Sequence, residues 1–442
     1  MRLPRSVLAA IASPAIPIAG LGLPLVIFLP SFYADKSGVG LALEAVGGAL
    51  LIARIFDIAV DPLFGVLADK LRVPLGRRRF WLLVSMPIIA LGSIKIFMPP
   101  VGVGPGYLLG WILFVYLGYT IVTISIVSWS AELTGDYNER TRVQAWYQTS
   151  LLIGLIAVPL VPVIVGNQGG DAWQRTGALG WFILVTMVPA VLFAVVRVPE
   201  VPVRQDLSIH WRDAFAALLR SRPLRFVVGA DLMFGLATGI AGALYKFAMQ
   251  YGVGLPENQA NVVLLVYFAV ACLFAPLWGA IGQRWQKHRV LAWAALYSLA
   301  APFAYLLLPQ GNFVGALIVT ALFGIPYAAA RLLLKSMMAD VTDDDRLKSG
   351  RMQAGIFFSL LLTTEKLGIA VAALSFNILA GIGFVPGGEN AERALWGLML
   401  LFTIGPAIFH ALAALIIWRY PLTKARQAEL RAQIAARFGH AG

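Results

Sequence analysis

Cysteine is almost absent: Cys272 is the only one in 442 residues, so disulfides cannot hold the fold and the redox compartment leaves no mark on it. Charge is scarce too. Only 13 % of residues are Asp, Glu, Lys or Arg against 59 % hydrophobic, and a mean hydropathy of +0.79 excludes a soluble globular domain. The four histidines, His210, His288, His410 and His440, fall in loops or near the tail. They offer no metal-ligand spacing, and there is no Ser-His-Asp set or P-loop, which argues against an enzyme or an ATP-driven pump and implies no cofactor. The first apolar run also lacks a short core followed by a small-residue cleavage site, so it is expected to stay as a helix.

What is present is a series of apolar runs long enough to cross a hydrocarbon core of about 30 Å. Twelve spans are expected, at roughly 8–33, 40–68, 79–99, 105–133, 142–165, 176–197, 225–250, 260–282, 289–309, 313–340, 352–383 and 394–418. They predict an all-α, multi-pass membrane protein. Turn chemistry separates them, as in Pro-Pro-Val-Gly-Val-Gly-Pro-Gly at 99–106 and Gly-Asn-Gln-Gly-Gly at 166–170. Lys and Arg number 26 in the loops and tails of one side and three (Lys36, Arg175, Arg393) on the other. By the positive-inside rule both termini lie in the cytoplasm, as expected in a bacterial inner membrane. The same bias explains the net charge of +13 without a nucleic-acid partner.

The longest polar connection follows the sixth span. It predicts an N-terminal six-helix half (1–197), a cytoplasmic linker (198–224), a C-terminal six-helix half (225–418) and an amphipathic cytoplasmic tail (419–442). Within the linker, Trp211 to Leu219 is expected to lie at the membrane interface, and the basic tail to face lipid headgroups. A weak internal repeat supports two halves: Asp69–Arg79 after the second span corresponds in position to Gly282–Arg289 after the eighth. Related halves around a midplane site are how major facilitator transporters are built.

Against this apolar background one stretch stands out, Arg54-Ile-Phe-Asp57-Ile-Ala-Val-Asp61-Pro62. At about 100° per residue, Asp57 and Asp61 share a helix face, with Arg54 one turn before Asp57. A carboxylate near the bilayer centre costs roughly 2.5 kcal/mol or more, and such residues mark ion or substrate paths. One arginine cannot neutralise two acids; the surplus wants a cation or a proton.

The pattern Asp57-x-x-x-Asp61-Pro62-x-x-Gly65-x-x-x-Asp69 followed by Gly76-Arg77-Arg78-Arg79 resembles the second helix and following loop of the glycoside-pentoside-hexuronide:cation symporters, the melibiose-permease branch of the major facilitator superfamily. Trp129-Ser-Ala-Glu-Leu with Asp136-Tyr-Asn-Glu139-Arg140-Thr-Arg142 resembles the family's fourth helix and turn. Ala339-Asp340-Val-Thr-Asp343 with Gly350-Arg351, and Lys366-Leu-Gly368, resemble parts of helices ten and eleven. The resemblance implies a major facilitator fold of twelve transmembrane helices in two six-helix halves, working as a monomer on a small-molecule substrate. It implies Asp57 and Asp61 as cation ligands, Trp129 in the sugar cavity, and Lys366 between cation and substrate sites.

The departures from the family pattern carry information. Where the family site implies Asn and Thr this chain has Val60 and Val122, so Thr120 and Thr123 are the candidate replacement ligands for a coupling ion, H⁺ or Na⁺. No metal is expected beyond such a sodium ion. The sugar-gripping acids and arginine are replaced: the first helix has no charge, and Ser125 and Gln148 stand at the matching positions of helices four and five. In exchange come Arg331 and Lys335 on helix ten, with Asp231 on helix seven. Arginine grips carboxylate or phosphate with two hydrogen bonds, so an anionic substrate follows. Arg54 and Glu365 are the expected charge-coupling groups. Arg77, Arg78, Asp136, Arg140 and Arg142 are the expected cytoplasmic gate. Lys95 and Lys246 are expected to snorkel at helix ends. The function these features predict is cation-coupled symport of a glycoside or acidic sugar. The alternative is transport of a lysophospholipid or other amphiphile by the same branch.

Overall fold

A computed structural model describes residues 3–70, 73–134, 137–200, 217–349, 354–427, 429–430 and 433. Every regular element among them is helical. In chain order the long helices are α1 (Arg5–Ala34), α2 (Leu43–Lys70), α3 (Arg77–Phe97), α4 (Pro105–Glu132), α5 (Tyr137–Asn167) and α6 (Ala172–Arg197). There follow α7 (Arg222–Gly252), α8 (Glu257–Arg284), α9 (Lys287–Leu307), α10 (Phe313–Gly324 with Tyr327–Ser349), α11 (Ala354–Ala372 with Leu374–Gly381) and α12 (Glu392–Trp418). All but α2 are long and apolar enough to cross a membrane. Helix α2 has the length, but Arg54, Asp57 and Asp61 fall within about two turns of it.

Local chemistry sets the boundaries. Asp171 caps α6 by accepting from Gln174 N at 2.8 Å, while the Gln174 side chain accepts from Asp171 N at 3.0 Å. Asn312 starts α10 by accepting from Gly315 N at 2.8 Å. Proline, lacking an N–H, interrupts two spans: α1 between Ala12 and Ala15 at Pro14, and α10 between Gly324 and Tyr327 at Pro326. Gly76, with φ +100°, turns the chain into α3 beside the Glu200 carboxylate, which would overlap any Cβ placed there.

Two compact units emerge. One comprises Met1–Asp206, Gly242–Leu265 and Ala373–Leu398; the other comprises Leu207–Ala241, Val266–Ala372 and Met399–Gly442. In the first, Phe64, Ala68 and Ile121 form a core between α2 and α4, with Val60 and Trp81 against it. In the second, a larger core runs through α7, α9, α10, α11 and α12, from Leu224 and Val227 to Met337, Phe357 and Ile417. The two units contain equivalent ion pairs. In the first, the start of α3 is tied to the end of α4 by Arg77 and Arg78 on Glu132; in the second, Lys287 at the start of α9 holds Asp340 on α10 at 2.6 Å. Most of the expected interfacial helix at 211–219, the Gly350-Arg351 pair and the end of the tail lie outside the described residues.

Candidate functional site

The intramembrane charges of α2 meet α4. Asp57 is fully buried, and Arg54 Nη1 lies 3.7 Å from its Oδ2, with the guanidinium stacked 4.8 Å over the Tyr116 ring. Thr120 Oγ1 sits 2.9 Å from Asp57 Oδ1 and 3.0 Å from Asp61 Oδ1. A hydroxyl carries one hydrogen and donates to one acceptor well. The second short contact is satisfied when the other carboxyl holds a proton or the pair holds a cation. Of the two threonines, Thr120 thus stands where Val60 and Val122 cannot supply oxygen. Thr123 Oγ1 is buried without a hydrogen-bond partner among the described residues, as is Ser125 Oγ.

The remaining N-terminal candidates lie apart from this cluster. Trp129 is fully buried and donates from Nε1 to Pro199 O at 3.1 Å, which fastens α4 to the chain after α6. Gln148 is half-buried on α5. Arg78 grips Glu132 with two nitrogens, at 2.5 and 3.2 Å, and Arg77 adds a third contact at 2.9 Å. Arg142 reaches back one turn to Glu139 at 2.6 Å, and Glu139 also accepts from Leu3 N. Asp136 and the Arg140 side chain lie outside the described residues.

The second unit holds an open cavity lined by α7, α10 and α11. Arg331, 44 % exposed, pairs with Glu365 at 2.7 Å and lies over the Tyr327 ring. Lys335 projects into the same cavity, and Asp231, 7 % exposed, has its Oδ2 2.6 Å from Thr364 Oγ1. Lys366, next to Glu365 on α11, is half-buried. Close approach of two backbones makes this cavity: Cβ atoms added at Gly235 and Gly368 would fall 2.9 Å from Glu365 O and 2.6 Å from Leu236 N. Small residues let membrane helices pack this tightly. Asp231 and Thr364 each lie one turn before these glycines, so the approach brings them together.

A third cluster was not expected. Lys246 does not snorkel: it is 2 % exposed and donates to Glu257 at 2.7 Å and to Asn261 at 3.1 Å. Snorkelling fails because Glu257 and Asn261, both on α8, offer acceptors on the protein side. Arg175 Nη1 meets the other Glu257 oxygen at 2.5 Å, and Tyr251 donates to Asp35, which also caps Ser37 N at 2.8 Å. Asp35, Ser37, Arg175, Lys246 and Glu257 line a cavity within the first unit. The clue in the sequence was Lys246 itself, an ammonium in an apolar run, which needs a partner for the reason that Asp57 does.

The family described as MFS/sugar transport protein matches residues 10–424. An uncharacterized symporter of Synechocystis sp. is 25 % identical, with 93 % of each chain covered. An isoprimeverose transporter of Lactiplantibacillus pentosus is 24 % identical, covering 90 % of this chain and 84 % of its own. The human sodium-dependent lysophosphatidylcholine symporter 1 is 25 % identical, covering 88 % and 78 %. In fold, the solved structure of the nucleoside transporter NupG aligns with a TM-score of 0.68 at 14 % identity, covering 95 % of this chain and 100 % of that one. The twelve helices, the carboxylate pair of α2 and the match over nearly the whole chain place this multi-pass membrane protein in the MFS/sugar transport protein family, in its glycoside-pentoside-hexuronide:cation symporter branch.

Proposed function

We propose that the protein is a cation-coupled symporter of a glycoside or acidic sugar, working by alternating access. The observation that carries this reading is the single Thr120 hydroxyl between Asp57 and Asp61. Such a pair of intramembrane carboxylates suits a positive occupant. A proton satisfies it with no additional ligand, whereas sodium calls for further oxygens; proton coupling is therefore the favoured form. The occupant neutralises the pair, and it and the substrate favour one another by the same free energy, typically about 1–3 kcal/mol. Arg331 and Lys335, exposed in the cavity of the second unit, form the substrate's anion contact, with Lys366 beside them on α11. The Lys246–Glu257–Arg175 network holds the ends of α6, α7 and α8 that the positive-inside count puts outside the cell.

The exposed cations also suit a zwitterionic or anionic headgroup, and a lysophosphatidylcholine symporter is among the relatives. Uptake into proteoliposomes separates the two. Hexuronate or glycoside accumulation driven by an imposed pH or sodium gradient supports sugar symport, whereas lysophospholipid movement alone would replace it with the lipid reading. No accumulation of either, with either gradient, contradicts symport.

A further inference from the structure

We propose that Asp231 is a proton-binding site of the second-unit cavity, separate from the Asp57–Asp61 pair, and that its proton leaves the cavity one net positive charge, matched to a singly charged organic anion. The ligand half of this rests on the symporter reading; the proton half does not.

The geometry around Asp231 has three parts. First, Asp231 is 7 % exposed, and among the described residues no cation lies within ion-pair distance of it; Arg331 is engaged with Glu365. Burying a carboxylate without an ion-pair partner costs free energy that a proton relieves. Second, Thr364 Oγ1 lies 2.6 Å from Asp231 Oδ2 and 3.0 Å from both Leu360 O and Leu361 O. Carbonyls only accept, so when the one hydroxyl hydrogen goes back to its own helix, the short contact to Asp231 needs a second hydrogen, carried by Asp231. Third, the charged groups facing Asp231 are Arg331 and Lys335 from α10 and Glu365 from α11. With Asp231 protonated they sum to one positive charge; with Asp231 ionised they sum to none. Lys335, without an ion pair among the described residues, is where that charge faces the cavity. An anion therefore binds with Asp231 protonated, and proton and anion are taken up together.

The test begins without any substrate. Infrared spectra of the reconstituted full-length protein at neutral pH, wild type minus Asp231→Asn, are expected to show the carbonyl stretch of a carboxylic acid that moves in heavy water. Its absence overturns the proposal. Should Asp231→Asn not fold, Thr364→Val is expected to shift the same band in otherwise native protein, and an unshifted band counts against it. Glucuronate then serves as the anion. Its binding to wild type is expected to weaken by about tenfold per pH unit once Asp231 ionises, and to lose that dependence in Asp231→Asn. The same pH dependence in both proteins overturns the proposal. A carboxylic-acid band without any glucuronate binding supports the proton site and overturns the anionic ligand, and with it the acidic-sugar form of the symporter reading.

Discussion

Around Asp57 charge is shut away from solvent, and around Arg331 it is left open to it. In the first cluster the arginine, both carboxylates and the threonine come from two helices, α2 and α4, packed against an apolar core, and Asp57 has no exposed surface. In the second, three helices leave a cavity between them, and Arg331 and Lys335 project into it. Burial decides what each can bind. A pair of carboxylates within 3.0 Å of one hydroxyl, Asp57 fully buried and Asp61 half-buried, suits a desolvated cation. An open cavity lined by Arg331, Lys335 and Glu365 suits a larger anion. The two clusters thus differ in solvent access as well as in charge.

That contrast can be broken by substitution. Asp57→Asn is expected to reduce gradient-driven accumulation by about 100-fold, the upper end of typical coupling, while substrate exchange at equal concentrations persists; radiolabelled uptake and counterflow in proteoliposomes report the two. Arg331→Ala has the complementary signature. It should raise KM for an anionic substrate by about 10- to 100-fold, the worth of a charged hydrogen bond, without altering the ion dependence of uptake. Thr120→Val should weaken ion-driven uptake by about tenfold. Thr123→Val, which removes a hydroxyl without a partner, should change stability by no more than about 0.5 kcal/mol, read from thermal unfolding. Gly235→Ala is read from stability. It wedges α7 from α11 and lowers stability by about 1–3 kcal/mol, seen as a melting temperature lower by a few degrees.

The first cluster was readable in the sequence because charge in an apolar run is conspicuous by its cost. Asp57 and Asp61 share a face by spacing alone, and Arg54 falls in with them. Which threonine completes the site was not readable, because Thr120 and Thr123 lie three residues apart and only the rotation of α4 against α2 selects between them. In the second unit Arg331, Lys335 and Glu365 could be named, and Asp231 noticed. Its meeting with Thr364, across 133 positions of sequence, depends on the backbone contact at Gly235 and Gly368, which no periodicity announces. The Lys246 network was missed for a related reason. Arg175 and Glu257 stand 82 positions apart, each reads as an ordinary end-of-helix charge, and only packing shows that they share a partner. Sequence betrays a buried charge readily; it hides whom the charge meets.

The most direct test of the Asp57–Thr120–Asp61 site is the melting temperature of the purified protein, taken across pH without sodium and across sodium at fixed pH, in wild type and in the Asp57→Asn, Asp61→Asn double variant. An ion that binds the folded state raises it by mass action. The wild type is predicted to be stabilised by one of the two ions and the double variant to lose that response. Equal stabilisation of both proteins would contradict the assignment of the coupling ion to this carboxylate pair.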